Sequence, residues 1–512
     1  MIEILRRIPA SAITEEEAID RDLAVHFLGL RAFELTELRM HEKASFAARE
    51  IGESLFFLFT RSHPSLNQRL QSITARLKET PRFLDGSRKL IKTPFRLWNE
   101  VQHETGERLP RLFEDIIELG RAQSADGKAL RKLADAAKDA SAAIREHNEW
   151  LKEEVIPSAT DEYAIGPSLY RRYLLLKDFG VSAEENLRIA ELHLENVNRR
   201  KIEVSAKIVK SGSPIDALKK MRSNHHSSSK EILDEYRDSI LKARDFIKER
   251  KLATIPAGEE LDVMETPYFM RHLLAYAAQF EPGKFDGDMK GVFLVTPEDG
   301  NPALLEEHSH PAIVNTSVHE GYPGHHLHGV CSNTHKSFIR PLFQSPDFAE
   351  GWALYCEDMM LAQGYNNNPM GRLTIMNDLA LRITRQICDV KLSMNTMSVE
   401  EAAQLIAAQT QTNISAAMTE AKSIMLSPTY FSAYFIGKLG VMQMREDVQR
   451  VLGSMFNLGF FHDSLIYSGC MPMSFMRRAL ALRIRQRYGL ELSKQRESLY
   501  EYSLRTLLKK AF

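Results

Sequence analysis

The chain has 512 residues, with 67 Lys and Arg against 68 Asp and Glu for a formal charge of −1, so no global field recruits nucleic acid or a polyanionic surface. A composition of 44% hydrophobic and 26% charged residues is globular, which excludes a disordered chain or an integral membrane protein. At about 150 residues per domain, the length predicts about three domains or one large composite body.

The start, MIEILRRIPASAITEEEAID, has acids close behind its basic pair and no apolar core, which predicts no secretory signal. The apolar run SLFFLF near Phe56 is too short to span a bilayer. Long mixtures of Glu, Lys, Arg, Leu and Ala predict a mainly α-helical protein. Capping boxes predict helix starts at Thr14 with Glu17, Ser182 with Glu185 and Ser398 with Glu401. The small, polar stretch from Gly212 to Lys230 reads as a surface connection, with His225 and His226 as solvated loop residues.

Between Ala253 and Pro297 the texture changes. ATIPAGEELDVMETP and, after a helical piece, KGVFLVTP are β-favouring runs bounded by Pro and Gly, so a small sheet is expected. The predicted division is a helical N-terminal half, 1–250, and a C-terminal half, 251–512, that begins with strands and continues with long helices. In the latter, Ile375, Leu379, Ile383 and Ile387 recur every fourth residue as a buried stripe. Cys331, Cys356, Cys388 and Cys470 form no C-x-x-C, which disfavours a disulfide framework or thiolate zinc site and points to a reduced cytoplasm.

The densest chemistry is EEHSHPAIVNTSVHEGYPGHHLHGV, which with His335 just beyond holds seven of the 17 histidines. His319-Glu320 followed by His325-His326 is close to H-E-x-x-H, in which two histidines one turn apart hold zinc and the glutamate activates water. The spacing does not fit an unbroken helix: His325 would point about 120° away from His319, and His326 would lie about 10 Å along the axis. Pro323 and Gly324 supply a break between the two positions. His319 with His325 or His326 then binds a divalent metal, and Glu320 serves as general base. Glu350, 25 residues after His325 in FAEGWALYCEDMM, supplies a third ligand and leaves a site open for water. Glu357, two turns on, is placed to orient a ligating histidine. Against this stands the plainer reading of Ser317 and Glu320 as a capping box.

HEGYPGHH followed by EGWALYCE resembles the DUF885 proteins, whose signature is H-E-x-x-P-G-H-H and then E-G-W-A-x-Y. YFIGKLGVMQMR and FNLGFFHDSLIYSGCMPM are similar to the family's C-terminal segments, and the resemblance covers most of the chain. It implies a zincin-like helical metallopeptidase fold with a small sheet and a deep central cleft. It implies Zn2+ as cofactor, His319, His325, His326 and Glu350 as metal positions, and Glu320 as base. Tyr434 and Arg445 also match, as a donor to an oxyanion and a carboxylate-binding arginine. Tyr430 competes for the first role, and Arg382 or Arg385 for the second. Arg382 with Asp378 and Arg385 with Asp389 also have the spacing of ordinary helix ion pairs. His462 matches too and reads as structural. Where the family has D-T-G-x-H, this chain has Asp389-Val390-Lys391-Leu392-Ser393.

The expected function is a cytoplasmic zinc-dependent hydrolase of short peptides, carboxypeptidase-like in its action, with no nucleic-acid or membrane partner. The strand GVFLVTP is expected to pair with the substrate backbone. The alternatives are metal-assisted hydrolysis of another amide and a non-catalytic metal-binding helical protein.

Overall fold

The computed structural model describes residues 1–60, 64–123, 126–266, 271, 276–285, 288–296, 303–492 and 497–508. All three predicted capping boxes form. The Thr14 amide donates to Glu17 Oε2 at 2.7 Å while the Glu17 amide donates to Thr14 Oγ1 at 3.3 Å, and the Ser182 and Ser398 pairs repeat this exchange. The described residues are mainly helical, with one three-stranded sheet. Among them, no helix is long and apolar enough to cross a membrane.

The chain divides into two compact units, and the break does not fall near residue 250. One unit comprises residues 32–164 with 267–275, the other residues 1–31, 165–266 and 276–512. The reason is that the helix Ser229–Arg250 buries Ile232, Tyr236, Ile240, Ala243 and Ile247 in the same core as strands and helices beyond 251.

The 32–164 unit is built on Ala47–Thr60, Leu66–Arg88, Arg96–Ala122 and Gly127–Trp150. Leu70, Ile73, Leu77 and Leu84 form one apolar stripe, and Leu133, Ala136, Ala137, Ala140 and Ile144 another. Its interior also holds polar ties: Ser45 Oγ lies 2.9 Å from His147 Nε2.

In the larger unit the site is framed by helices labelled α1 (Ala183–Ser205), α2 (Ser229–Arg250), α3 (His310–Thr316), α4 (His325–Asn333), α5 (Pro346–Ala362), α6 (Pro369–Ser393), α7 (Ala433–Leu452) and α8 (Leu458–Ile466). Strands β1 (Glu259–Glu265), β2 (Ala277–Phe280) and β3 (Met289–Val295) pair in the order β1–β3–β2, β1 parallel and β2 antiparallel to β3. The two expected strands are therefore present. β2 lies within the piece expected to be helical, because pairing with β3 overrides the helix preference of its two alanines. Residues 281–285 of that piece are not helical either, and 268–270, 272–275 and 286–287 lie outside the described residues. β3, which carries GVFLV, is the central strand: β1 pairs along all of it and β2 along Val292–Val295, so that stretch has no free edge for a substrate backbone.

On α6, Ile375, Ile383 and Ile387 are buried and Leu379 is half-buried. Burial extends round that helix to Leu373, Ala380, Gln386, Cys388 and Asp389. α5 and α7 pack most intimately. Gly351 and Gly437 face one another where a Cβ on Gly437 would lie 1.8 Å from the Asp347 carbonyl oxygen, so only glycine allows the approach.

Candidate metal centre

α3 does not continue straight through the histidine cluster. It runs into one widened turn, Ser317–Gly321, in which the Tyr322 amide reaches back to Ser317 O at 3.1 Å. The chain then passes a cis Tyr322–Pro323 peptide and restarts as α4 at His325. A Cβ on Gly324 would sit 1.8 Å from His319 O, so the fold back toward the first histidine needs this glycine. Trp352 Nε1 clamps the break by donating to Pro323 O at 2.9 Å. Ser317 Oγ donates backward to Ile313 O, so Ser317 and Glu320 do not form a capping box.

The break brings His319 and His325 together, with ring centroids 4.9 Å apart and nearly perpendicular planes. Glu350 on α5 closes the group: its Oε2 lies 3.4 Å from His325 Nε2 and 3.8 Å from His319 Nε2. Two ligands about 2.0–2.1 Å from a tetrahedral zinc are roughly 3.4 Å apart, so these residues fit that ion. Glu320 offers an oxygen within 4.8 Å of both imidazole nitrogens. Both carboxylates are near: Glu350 Oε2 stands at ligand spacing from both Nε2 atoms, and Glu320 also offers an oxygen to the group.

On the other side of His319, Glu357 accepts from Nδ1 at 2.7 Å, which leaves Nε2 free to face the centre. Asn315 Nδ2 in turn donates to Glu357 Oε2 at 3.1 Å and Asp378 Oδ2 at 2.8 Å. Burial opposes charge on His319, yet Glu350 and Glu357 outweigh it and raise its pKa to about 10. That surplus of negative charge is what a dication neutralises. Burial also works against the charge on Glu350, but His325 and His319 hold its pKa well below the usual range.

Tyr430 donates to Glu350 Oε1 at 2.9 Å, and its ring lies 5.9 Å from that of Tyr434, edge to face. Burial and the charge of Glu350 push both phenols far up, so both remain O–H donors. Arg382, on α6, feels the charges of Asp378, Glu357 and Glu350, and its buried Nε has no protein partner.

Three sequence expectations fall elsewhere. His326 is turned away from His319: its Nε2 lies 2.8 Å from Glu259 Oε2, in a buried cluster with Tyr322 and Arg244. On α4, successive residues point about 100° apart, so only His325 faces the centre. Arg445 instead donates to Tyr355 Oη at 3.3 Å, and Tyr355 leads on to His462 and Leu252 O. Tyr355 is five residues after Glu350, about 140° round α5, whereas Glu357 returns to the same face. Arg385 is held by two bonds to Glu420 at 2.8 and 2.9 Å rather than by Asp389.

Asp389 itself accepts from the Thr429 and Ser432 amides at 2.8 and 2.9 Å. It thus anchors the turn that presents Tyr430. Sequence reasoning missed Glu259 and also Glu281, whose half-buried carboxyl feels the charge of His325. Neither has a local motif. His226, expected in solvent, is half-buried against Glu235.

The profile of the family described as "Bacterial protein of unknown function (DUF885)" matches residues 1–480. The chain belongs to the DUF885 family. This DUF885 protein shares its fold with a candidate lipoprotein of unknown function from Shewanella oneidensis: 23% identity, TM-score 0.75, 93% of this chain and 89% of that one covered. A candidate lipoprotein from Colwellia psychrerythraea superposes with TM-score 0.80 at 17% identity, covering 95% and 89%. No curated protein matches the chain.

Proposed function

We propose that this DUF885 protein is a zinc-dependent hydrolase of zincin-like type that cleaves peptide bonds in short peptides. The observation that carries the reading is the convergence of His319, His325 and Glu350 at ligand spacing, with Glu320 alongside and Glu357 behind His319. Zinc held by those three residues would supply a Lewis acid for the scissile carbonyl and make water a competent nucleophile near neutral pH.

The chain's own groups do the rest. Glu320 accepts the proton of the attacking water and returns it to the leaving amine. Tyr434 offers a protonated phenol to the oxyanion, while the Tyr430 O–H beside it is held by Glu350. Arg382, with its unused Nε, takes the place expected for Arg445 and pairs with a peptide carboxylate, which favours cutting near the C-terminus. Four buried, free cysteines support a reduced compartment, the cytoplasm, as the working environment.

The test combines elemental analysis with mass spectrometry of a mixed peptide library. Wild type should carry zinc that His319→Ala loses from this centre. Zinc-loaded Glu320→Gln should cut about 10²–10⁴-fold more slowly. No zinc at this centre after reconstitution, or undiminished cleavage by Glu320→Gln, would overturn the reading. Zinc with no peptide cleavage would move the substrate to another amide.

A further inference from the structure

A second convergence of metal-ligating groups lies outside this centre. His226 stands in the connection after Arg222, Glu235 is on α2, and His310 is the first residue of α3. Glu235 Oε2 lies 2.7 Å from His226 Nε2 and 2.6 Å from His310 Nδ1, and all three ligand atoms fall within 4.8 Å of one another. The two imidazole centroids are 4.6 Å apart at 75°.

We propose that His226, Glu235 and His310 form a second divalent-cation site for a transition metal of the zinc class. Two imidazoles and one carboxylate are a donor set that such ions accept, and three protein ligands leave a position for water. Two features separate this from an ordinary surface ion pair. First, His226 Nε2 is buried without a hydrogen-bond partner although Glu235 Oε2 is 2.7 Å away. An imidazole nitrogen so close to the oxygen, but off the line of an N–H bond, is set to share an ion rather than a proton.

Second, the donors are held in place by backbone. His225 and Ser309 form a β-bridge, and the His310 amide donates to Asn224 O at 2.9 Å. Segments far apart in sequence are thereby pinned beside α2 before any ion binds. Opening the two 2.6–2.7 Å contacts to the roughly 3.4 Å spacing of zinc ligands needs only side-chain adjustment.

The position suggests its work. α3 begins at His310 and runs directly into the turn that carries His319. A cation on His310 fixes the first turn of the helix whose far end presents the first ligand of the other centre. The site is structural in this sense, and it stands whether or not the peptidase reading does.

The test uses the full chain, equilibrated with zinc and freed of loose metal on a chelating resin. Metal per chain is measured by elemental analysis, and the thermal midpoint is recorded with and without zinc. Two zinc ions per wild-type chain are expected, and one in Glu235→Gln, with loss of part of the zinc-dependent rise in midpoint. His310→Ala should match it. If that helix variant misfolds by circular dichroism, His226→Ala, altered in a connecting segment, carries the same expectation. Retention of two ions by Glu235→Gln would overturn the proposal, as would a single wild-type ion that His319→Ala removes. A single ion lost in Glu235→Gln but kept in His319→Ala would support this site and count against the first. Absence of zinc from every sample would overturn both.

Discussion

Gly437→Ala tests the packing on which the proposed centre depends. The new Cβ would lie 1.8 Å from the Asp347 carbonyl oxygen and 2.9 Å from the Gly351 Cα. Favourable contacts between such atoms lie near about 3.5 Å, so α5 and α7 must part by roughly 1.7 Å. Both obstructions are backbone and cannot swing aside. Overpacking of this kind costs about 1–3 kcal/mol, against about 1 kcal/mol gained from the better helix propensity of alanine. With backbone on both sides the cost falls at the upper end of that range, and the net expectation is a loss of about 2 kcal/mol.

Gly29→Ala is the internal control, because that helical glycine has nothing within 4 Å of an added Cβ and belongs to the same unit. It should gain about 0.5–1 kcal/mol. Urea unfolding followed by circular dichroism reads both as shifts of midpoint. A Gly437→Ala midpoint at or above wild type, with Gly29→Ala behaving as stated, would refute the close approach of α5 and α7.

Glu357→Gln removes the charge behind His319 Nδ1 and should weaken zinc binding at the first centre about 10–100-fold, read by competition with a chromogenic chelator; unchanged affinity would remove Glu357 from the account. Acid should destabilise the chain from pH 6.5 downward. Burial lowers the pKa of His147, His193, His308 and His328 from 6.5 to about 4, and that of His462 to about 3. Because these folded-state values lie below the unfolded one, their stabilisation is complete above pH 6.5 and is lost as pH falls toward 4. Each contributes on the order of 3 kcal/mol at the lower limit. Asp347 and Asp389, raised to about 6 by burial, and Asp115, Glu281 and Asp378, also raised by it, act in the opposite sense, but mainly below pH 6, after the imidazoles have begun to lose theirs. A thermal midpoint that stays flat from pH 7 to 5 would contradict the neutral buried imidazoles. Arg340→Met should cost about 3 kcal/mol in chemical denaturation, since the buried guanidinium binds Asp20 at 2.7 Å, Glu16 at 2.5 Å and Ser468 O at 2.6 Å. A loss under 1 kcal/mol would place those acids in effective contact with water.

The parts legible in the sequence are those whose cause is local. Capping pairs, the α6 stripe and the break at Pro323-Gly324 depend on residues within two helical turns of one another. The spacing of Glu350 and Glu357 on α5 was readable for the same reason. The choice between His325 and His326 was not, because it is decided by Glu259, 67 positions away from His326. Arg445 and Arg382 likewise sit on helices whose facing depends on tertiary packing rather than on their own motif. β2 escaped notice because four residues of weak preference become a strand only when β3 is alongside.

The order of chain segments in the larger unit has a consequence for biosynthesis. Residues 1–31 belong with partners that reach to residue 512, whereas the 32–164 stretch is nearly contiguous. Near the N-terminus, Glu16 and Asp20 await Arg340, and Asp22 and Glu15 await Arg478 and Arg485. At about 5–20 residues per second, the helix Glu15–Phe33 would leave the ribosome roughly 23–90 s before Arg485. The intervening helices can collapse on one another during that delay. The larger unit, by contrast, can close only after Arg485 has been made, so the acidic helix Glu15–Phe33 must remain unclaimed until then.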